Sequence, residues 1–367
     1  MKIEIKPYKD EYWVEFVKLV NKYWSKEHPI TNKELFNWQY KGFGHSDNFQ
    51  LFKVLFVDGA MEGFRGVIPG LYHTPGSSKI HKGGTFAMWL VTPNFRGTGL
   101  GYKLMQEIEQ ECSILMSVGS TLKTSGRIYA KNNFTYLSKF HRWVVGFDNR
   151  YKTLLRNNVS NLSFNAKVTH NNCEIDPDPL LFESIWLNYA RHHDFFSLYR
   201  TRDFWQWRYV DSPGYKYYYF SNDSNDLIVG RIESGITRPN SNDTNLKIFR
   251  FIEIVQTKSH NTLQSLISDV LGWAIKNDCC GADFQASTPS FDECLIPVGF
   301  CKQEGDYGSG ACSLAGLFNP FQFKPEPINA FWRVLVNEEK IDVDSNQAYL
   351  MKSDNDMDRP NHWPIVL

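Results

Sequence analysis

Trp89-Leu-Val-Thr-Pro-Asn-Phe-Arg-Gly-Thr-Gly-Leu-Gly-Tyr-Lys-Leu-Met-Gln-Glu-Ile108 carries an extended apolar run into a glycine-studded turn and then an amphipathic helix. Residues 85–91 read as a strand, and Pro93, which has no N–H to give a ladder, ends it. From Leu100 the apolar residues Leu104, Met105, Ile108 and Cys112 recur at helical spacing, so a helix starts near Gly99. Gly97, Gly99 and Gly101 then stand at its N-terminus. Glycines there let backbone N–H groups turn inward around an anion, and the positive end of the helix dipole favours its charge. The absence of a following Gly-Lys-Ser/Thr excludes a P-loop, and the glycines are too closely spaced for a dinucleotide-binding fingerprint.

Arg96-Gly-Thr-Gly-Leu-Gly101, with Leu90-Val-Thr-Pro93 before it, resembles the Arg/Gln-x-x-Gly-x-Gly/Ala signature of the GNAT superfamily of N-acetyltransferases. The resemblance implies that the amides of Arg96, Gly97, Thr98, Gly99, Leu100 and Gly101 bind the diphosphate of acetyl-CoA. It also implies that Trp89, Leu90 and Val91 run beside the pantetheine arm and donate to the thioester oxygen. Arg127-Ile-Tyr-Ala-Lys-Asn-Asn-Phe134 is similar to the family's Tyr-x-x-x-Gly-Phe segment, which makes Tyr129 the candidate acid for the departing thiolate. A purely structural tyrosine at a helix end is the competing reading. Asn133 replaces the glycine, and asparagine is the side chain that best tolerates the left-handed conformation.

Outward from this centre, residues 3–8 read as a strand and residues 11–24 as a helix with a stripe of Trp13, Phe16, Val17, Val20 and Trp24. Residues 52–57 are a strand ended by the hairpin pair Asp58-Gly59, and residues 63–68 a strand stopped by Pro69-Gly70. Residues 143–147 are expected to close the first domain. The second half repeats the first: Asp203-Phe-Trp-Gln-Trp-Arg-Tyr209 echoes Glu34-Leu-Phe-Asn-Trp-Gln-Tyr40. Trp38 and Trp207 are therefore each expected to pack within their own copy. Residues 248–255 and 262–275 take the places of the central strand and the diphosphate helix, and Pro297-Val-Gly-Phe300 that of the Gly-Phe end. Gln256-Thr-Lys-Ser-His-Asn261 has no glycine, so the second copy is expected to have lost CoA binding and to wall an acceptor site.

The fold class expected is α/β (α+β), two tandem GNAT-like domains, each a mixed, mostly antiparallel sheet flanked by helices. The divisions are a CoA-binding domain over residues 1–150, a linker over 151–172, a degenerate copy over 173–330 and a tail over 331–367. In the tail, Asp354-Asn-Asp-Met-Asp358 spaces carboxylates like a calcium loop, but Arg359 stands where glycine is needed, so no metal is expected. A solvated loop is the reading there, with Trp363 or the acidic run as a possible border of the acceptor site.

Lys plus Arg equals Asp plus Glu at 40 each, which argues against nucleic acid or a membrane surface as the main partner. No apolar run approaches membrane-spanning length, the N-terminus lacks a signal-peptide core, and seven cysteines without Cys-x-x-Cys spacing suit a reducing compartment. A cytoplasmic protein is expected. At whole-chain level, a tandem chain with a degenerate second copy resembles bacterial enzymes that acetylate nucleotide-linked amino sugars for surface polysaccharides. The function expected is acetyl transfer from acetyl-CoA to an amine by direct attack, most specifically the amino group of such a sugar. The alternatives are a FemABX-like aminoacyl or acyl transferase and a non-catalytic CoA-binding sensor. Candidate bases are His73, His192 and His193, with Glu62 and His81 beside them.

Overall fold

The computed structural model describes residues 1–24, 28–42, 49, 51–120, 122–123, 125–154, 165–236, 246–257, 259–302, 328–336, 339–355 and 358. The chain opens with β1 (Ile3–Pro7), α1 (Trp13–Tyr23) and α2 (Lys33–Lys41). The Asn32 side chain caps α2 by accepting from Leu35 N at 3.0 Å. Next come β2 (Lys53–Val57) and β3 (Ala60–His73), joined by Asp58 and Gly59 at φ +48° and +87°. Two positive-φ residues form the tight loop whose twist matches a hairpin. β3 runs straight through Pro69, where the sequence suggests a stop. The β2 pairing ends at Arg65 and the next partner on that edge begins at Tyr72, so among the described residues Pro69 falls where β3 has a strand neighbour only on its other edge.

β4 (His81–Val91), α3 (Leu100–Glu109), β5 (Ile114–Val118), α4 (Ser125–Lys131) and β6 (Thr135–Leu137) follow. The second half contains β7 (His141–Gly146), β8 (Glu174–Ile175), α5 (Pro179–Arg191), β9 (Ser197–Leu198) and α6 (Arg202–Trp205), which runs on as a π-helical turn through Val210. Then come β10 (Tyr218–Ser221), β11 (Leu227–Ile236), β12 (Leu246–Val255), α7 (His260–Lys276), β13 (Gly281–Ala286), α8 (Asp292–Leu295) and β14 (Cys301–Lys302). β15 (Ala330–Val336) and β16 (Glu339–Ile341) close the list of strands. Asp178 caps α5 by accepting from Leu180 N and Leu181 N, with Pro179 in the first turn.

The strands make two sheets. The first has the order β1-β2-β3-β4-β5-β15-β16, with β6 against β15 and β9 against β3. The second has the order β14-β7-β13-β12-β11-β10-β8. In each, one central pair is parallel (β4 with β5, β12 with β13) and the rest are antiparallel. This is the mixed, mostly antiparallel α/β class expected, with helices against two sheets.

The halves exchange strands, which the sequence reading did not anticipate. β7, assigned there to the end of the first domain, pairs with β13 in the second sheet. β15, assigned to the tail, pairs with β5 and β6 in the first. One apolar core accordingly spans both: Tyr72 stacks on Phe196 at 5.9 Å between ring centres, and Phe196 on Trp332 at 5.5 Å. Trp38 and Trp207 also differ from expectation. They stack on each other at 5.1 Å, and each indole N–H donates to the other's carbonyl, at 2.7 and 2.8 Å. The reciprocal bonding of two equivalent residues marks a local two-fold relation between the copies. Among the described residues no helix is long and apolar enough to cross a membrane.

Candidate active site

The glycine turn sits at the end of a splayed pair of strands. β4 and β5 pair from Gly83 with Ile114 to Phe86 with Ser117 and no further, while β4 continues to Val91 and stays bound to β3 on its other edge. A bulge drives the divergence: between the pairs Arg65 with Trp89 and Val67 with Phe86, Gly66 alone opposes Ala87 and Met88. On the far side β5 is held by β15. Among the described residues no strand pairs with this edge of β4 beyond Phe86, and Trp89, Leu90 and Val91 lie along the gap in pairing that results.

At the mouth of the gap Gly97 and Gly99 take φ +80° and +86°, with open space where a Cβ would stand. Gly99 is the left-handed N-cap of α3, so the unpaired first-turn amides, Leu100 and Gly101 among them, face outward from the helix end. Gly101 has a different reason to be glycine, since a Cβ there would meet the Trp89 indole at 3.2 Å. Arg96 Nε donates to Val91 O at 3.1 Å and Thr98 Oγ1 to Phe95 O at 2.7 Å, which tie the turn to the strand it leaves. Two positive-φ glycines and a helix N-terminus, whose first-turn amides have no partner among the described residues, are features that favour an anion.

Tyr129 lies on α4, fully buried beside this gap. Its ring stacks on Phe86 at 5.7 Å and 11°, and its hydroxyl accepts from Arg65 Nη2. Arg65 in turn is held between the faces of Phe86 and Trp89, 4.0 and 4.4 Å from the ring centres. The hydroxyl accepts from Arg65, so its own proton is available to another acceptor. Asn133, at φ +59°, takes the left-handed conformation that its replacement of glycine requires.

On the opposite face of β4 a narrow cleft lies between the two halves, with a cavity of about 20 Å³ that widens to about 370 Å³ of empty space when its open mouth is counted. Its walls are Trp38 and Gln39 of α2, Thr85, Trp207 and Arg208, and residues 353–355 with Asp358. Thr85 Oγ1 donates to the Asp354 carbonyl at 3.2 Å, which fixes the C-terminal segment against the strand at the point where the splay begins.

That segment overturns the solvated-loop reading. Asp354 and Asp358 are 1% and 2% exposed. Arg200 Nη2 donates to Asp354 at 2.8 Å, while Asp358 accepts from Arg231 Nε at 2.8 Å and Tyr217 Oη at 2.7 Å. These pairs belong to a buried ionic layer on the second sheet, in which Arg142 and Arg250 share Asp283 at 2.6 and 2.7 Å and Arg231 reaches Glu233 at 2.9 Å. Burial pushes the Asp283 carboxyl up, but the Arg250 and Arg142 guanidiniums outweigh it and hold the group at about 2. Burial raises the Asp354 pKa, with Arg200 opposing. Burial also pushes the Lys352 amine down to about 7, helped by Arg250 and Arg231. Trp363 lies outside the described residues.

The same segment also lies against the second sheet where its parallel pair parts. β12 and β13 also part, after Arg250 with Asp283, but residues 347–355 occupy that gap. Ser287 N donates to Leu350 O and Leu350 N to Ser287 Oγ, both at 2.8 Å; Tyr349 Oη donates to Ile254 O at 2.7 Å, and Met351 bridges Ala286.

The proposed bases do not gather in the central cleft. His73 stands at the far end of β3, its ring against Phe195 O at 2.8 Å, and His81 pairs with Tyr72 beside it, roughly 17 Å along the strand from the splay at 3.4 Å per residue. His192 is exposed at the end of α5, and His193 stacks on Tyr189 at 4.1 Å in a second cleft with Gln256, Thr257 and His260. Glu62 accepts from Thr92 Oγ1. Gln39 and Arg208, which the sequence reading passed over, line the cleft instead, together with Asp354 of the acidic run that it named as a border. The repeat of the Trp-x-Tyr blocks could have flagged the first two, since Gln39 and Arg208 follow the two tryptophans.

Neither a family model nor a curated protein sequence matches the chain. Solved structures do. A GCN5-related N-acetyltransferase from Anabaena variabilis is similar with a TM-score of 0.56 at 14% identity, over 91% of this chain and 73% of that one. N-myristoyltransferase of Saccharomyces cerevisiae with bound myristoyl-CoA is similar with a TM-score of 0.55 at 13% identity, over 100% of this chain and 86% of that one. An Enterococcus faecalis protein described as a probable N-acyltransferase gives 0.56 at 10% identity, over 91% and 73%. The chain therefore shares the GNAT-like fold of these structures.

Proposed function

We propose that the protein is an acyl-CoA-dependent N-acyltransferase whose donor lies in the gap between β4 and β5 and whose acceptor amine enters from the cleft between the halves. The observation that supports this most is the conjunction of an open strand edge at residues 87–91, a positive-φ glycine cradle at its end and a buried tyrosine hydroxyl beside it. In this reading Arg96, Gly97, Thr98, Gly99, Leu100 and Gly101 receive the diphosphate, and amides of Trp89, Leu90 and Val91 bind the pantetheine arm and polarise the thioester carbonyl. The amine nitrogen attacks the carbonyl carbon, a C–N bond forms and the C–S bond breaks. The leaving sulfur takes the Tyr129 proton, and the proton shed by nitrogen returns to the phenolate through water. No covalent enzyme intermediate is needed.

Acetyl is the donor group proposed, with a nucleotide-linked amino sugar as the finer acceptor. The degenerate second copy, with its own gap plugged, serves as the acceptor wall, and the divisions at 1–150, 151–172, 173–330 and 331–367 stand as functional rather than strictly structural units. The likeness to a protein with bound myristoyl-CoA supports testing long acyl chains as well. The test is thiol release from acetyl-CoA and from myristoyl-CoA with UDP- and dTDP-linked amino sugars, polyamines and aminoglycosides as acceptors. Release with one acceptor class establishes the reaction, and the Gly99→Glu variant should bind neither donor. Acyl-CoA binding that survives Gly99→Glu overturns the cradle; binding without turnover on any amine favours a CoA sensor.

A further inference from the structure

The central cleft carries two polar side chains with unused hydrogen-bonding capacity. Gln39 is 2% exposed, and among the described residues neither its amide nitrogen nor its amide oxygen has a hydrogen-bond partner. Arg208 is also 2% exposed. Its Nε donates to Ser353 O at 3.2 Å and its Nη2 to Asp358 at 3.2 and 3.4 Å, but Nη1 has no partner among the described residues. Both residues line the cleft. A buried amide or guanidinium N–H left unpaired costs about 1–3 kcal/mol, more for a charged group, so two together in one cavity mark a place where water or a polar group of a ligand completes the bonding.

The chemistry of that ligand follows from the groups. Nη1 of Arg208 and the Gln39 carboxamide NH2 both donate, while the carboxylate that shares Arg208, Asp358, is drawn closer to Arg231 and Tyr217 than to Arg208. Asp354 is likewise committed to Arg200 and to Met351 N, at 2.8 and 2.6 Å. The local carboxylates are thus occupied, and the remaining capacity is mainly that of donors, one of them cationic. Trp38 and Trp207 supply a flat apolar wall beside them.

We propose that Gln39 and Arg208 form an oxyanion subsite that recognises a carboxylate or phosphate on the acceptor, so that the natural acceptor is an amine carrying an acidic group. This rests on the acyl-transfer reading for the word acceptor, but the subsite itself is read from the cleft alone. It selects among amines: polyamines and aminoglycosides lack the group, whereas amino acids, amino uronic acids and nucleotide-linked amino sugars have it.

The experiment uses the full chain and matched probes: glycine against glycinamide, an amino uronic acid against glucosamine, and a UDP-linked amino sugar against the free sugar. Binding is read by isothermal titration, and turnover by thiol release at saturating acetyl-CoA. The acidic member of at least one pair should bind about tenfold more tightly or better, the size of a charge-assisted hydrogen bond. Gln39→Leu should reduce that preference to about threefold or less. Because its amide bonds to nothing in the described structure, the same change should leave the melting temperature equal or higher and the acetyl-CoA Kd unaltered. Arg208→Lys, which keeps the charge but loses Nη1, should reduce the preference likewise. A preference confined to the uronic acid and glycine pairs assigns a carboxylate, and one confined to the nucleotide pair a phosphate. Equal binding of both members in every pair, binding of no probe, or a preference untouched by Gln39→Leu overturns the subsite. Discrimination in binding without thiol release leaves the subsite standing and removes acyl transfer; thiol release without discrimination does the reverse.

Discussion

At the scale of single residues the site depends on contacts that each have a separate cause. Gly97 and Gly99 are favoured by backbone angle, Gly101 stands in close approach to the Trp89 indole, and Arg65 holds the Tyr129 hydroxyl beside the splay. Changing Tyr129 to Phe removes the proposed proton donor and leaves ring stacking on Phe86 in place. The expected outcome is a fall in kcat of about 10²-fold or more, the usual worth of a positioned general acid, with the acetyl-CoA Kd retained. Steady-state kinetics beside equilibrium binding check it, and an unaltered kcat would leave Tyr129 a core residue. The motif around Tyr129 was legible in the sequence, down to the left-handed Asn133. Its partner Arg65 was not, because nothing in an alternating strand tells which of its polar side chains will face a tyrosine 64 positions away.

At the scale of elements, the two sheets use one device twice and treat it differently. A parallel pair parts in each; among the described residues no segment pairs into the first gap, and the second is filled by residues 347–355. The plug buries Lys352, whose Nζ has no hydrogen-bond partner among the described residues. Its amine falls from the ordinary 10.5 to about 7 through burial first and then the nearby Arg250 and Arg231 guanidiniums. The sign follows from proton counting. Between about 7 and 10.5 the unfolded chain holds a proton that the folded chain does not, so this residue makes stability rise with pH across that window and level off below it. Lys352→Met should therefore stabilise the fold at pH 7 by about 1 kcal/mol or more, since each unit of depression corresponds to about 1.4 kcal/mol, and should flatten the rise toward pH 10. Denaturant titrations at pH 7 and pH 10 measure both effects. A variant less stable at pH 7 would show that the amine has a favourable role in the layer.

At the scale of the whole molecule the halves are not separable units. β15 completes the first sheet from beyond the second, and β7 does the reverse. The paired tryptophans and the continuous core add a joint that neither half has alone. A fragment of residues 1–150 would leave the β5 edge, from Ile114 to Val118, without the partner that covers it. Exposed apolar strand edges associate rather than fold. The fragment is expected to be insoluble or to lack a cooperative thermal transition, whereas the full chain should unfold with both halves together. Calorimetry of the two decides; a fragment melting cooperatively on its own would show that the exchanged strand is dispensable.

The sequence by itself determined the local grammar: the strand, glycine turn and helix of residues 89–108, the hairpin at Asp58-Gly59, the caps, and the repetition of one unit along the chain. Those features follow from backbone angles, missing N–H groups and side-chain period, all of which act within a few residues. Only the tertiary structure decided that β7 and β15 change places, that residues 347–355 stop the second gap, and that Gln39, Arg208 and Asp354 meet at one cleft. These depend on contacts between segments 63 to more than 200 positions apart, whose registers leave no periodic trace. The same holds for the charged layer. Arg231, Glu233, Arg250 and Asp283 have the alternation of a solvated sheet face, and they are buried because a distant segment covers them and supplies their last carboxylate.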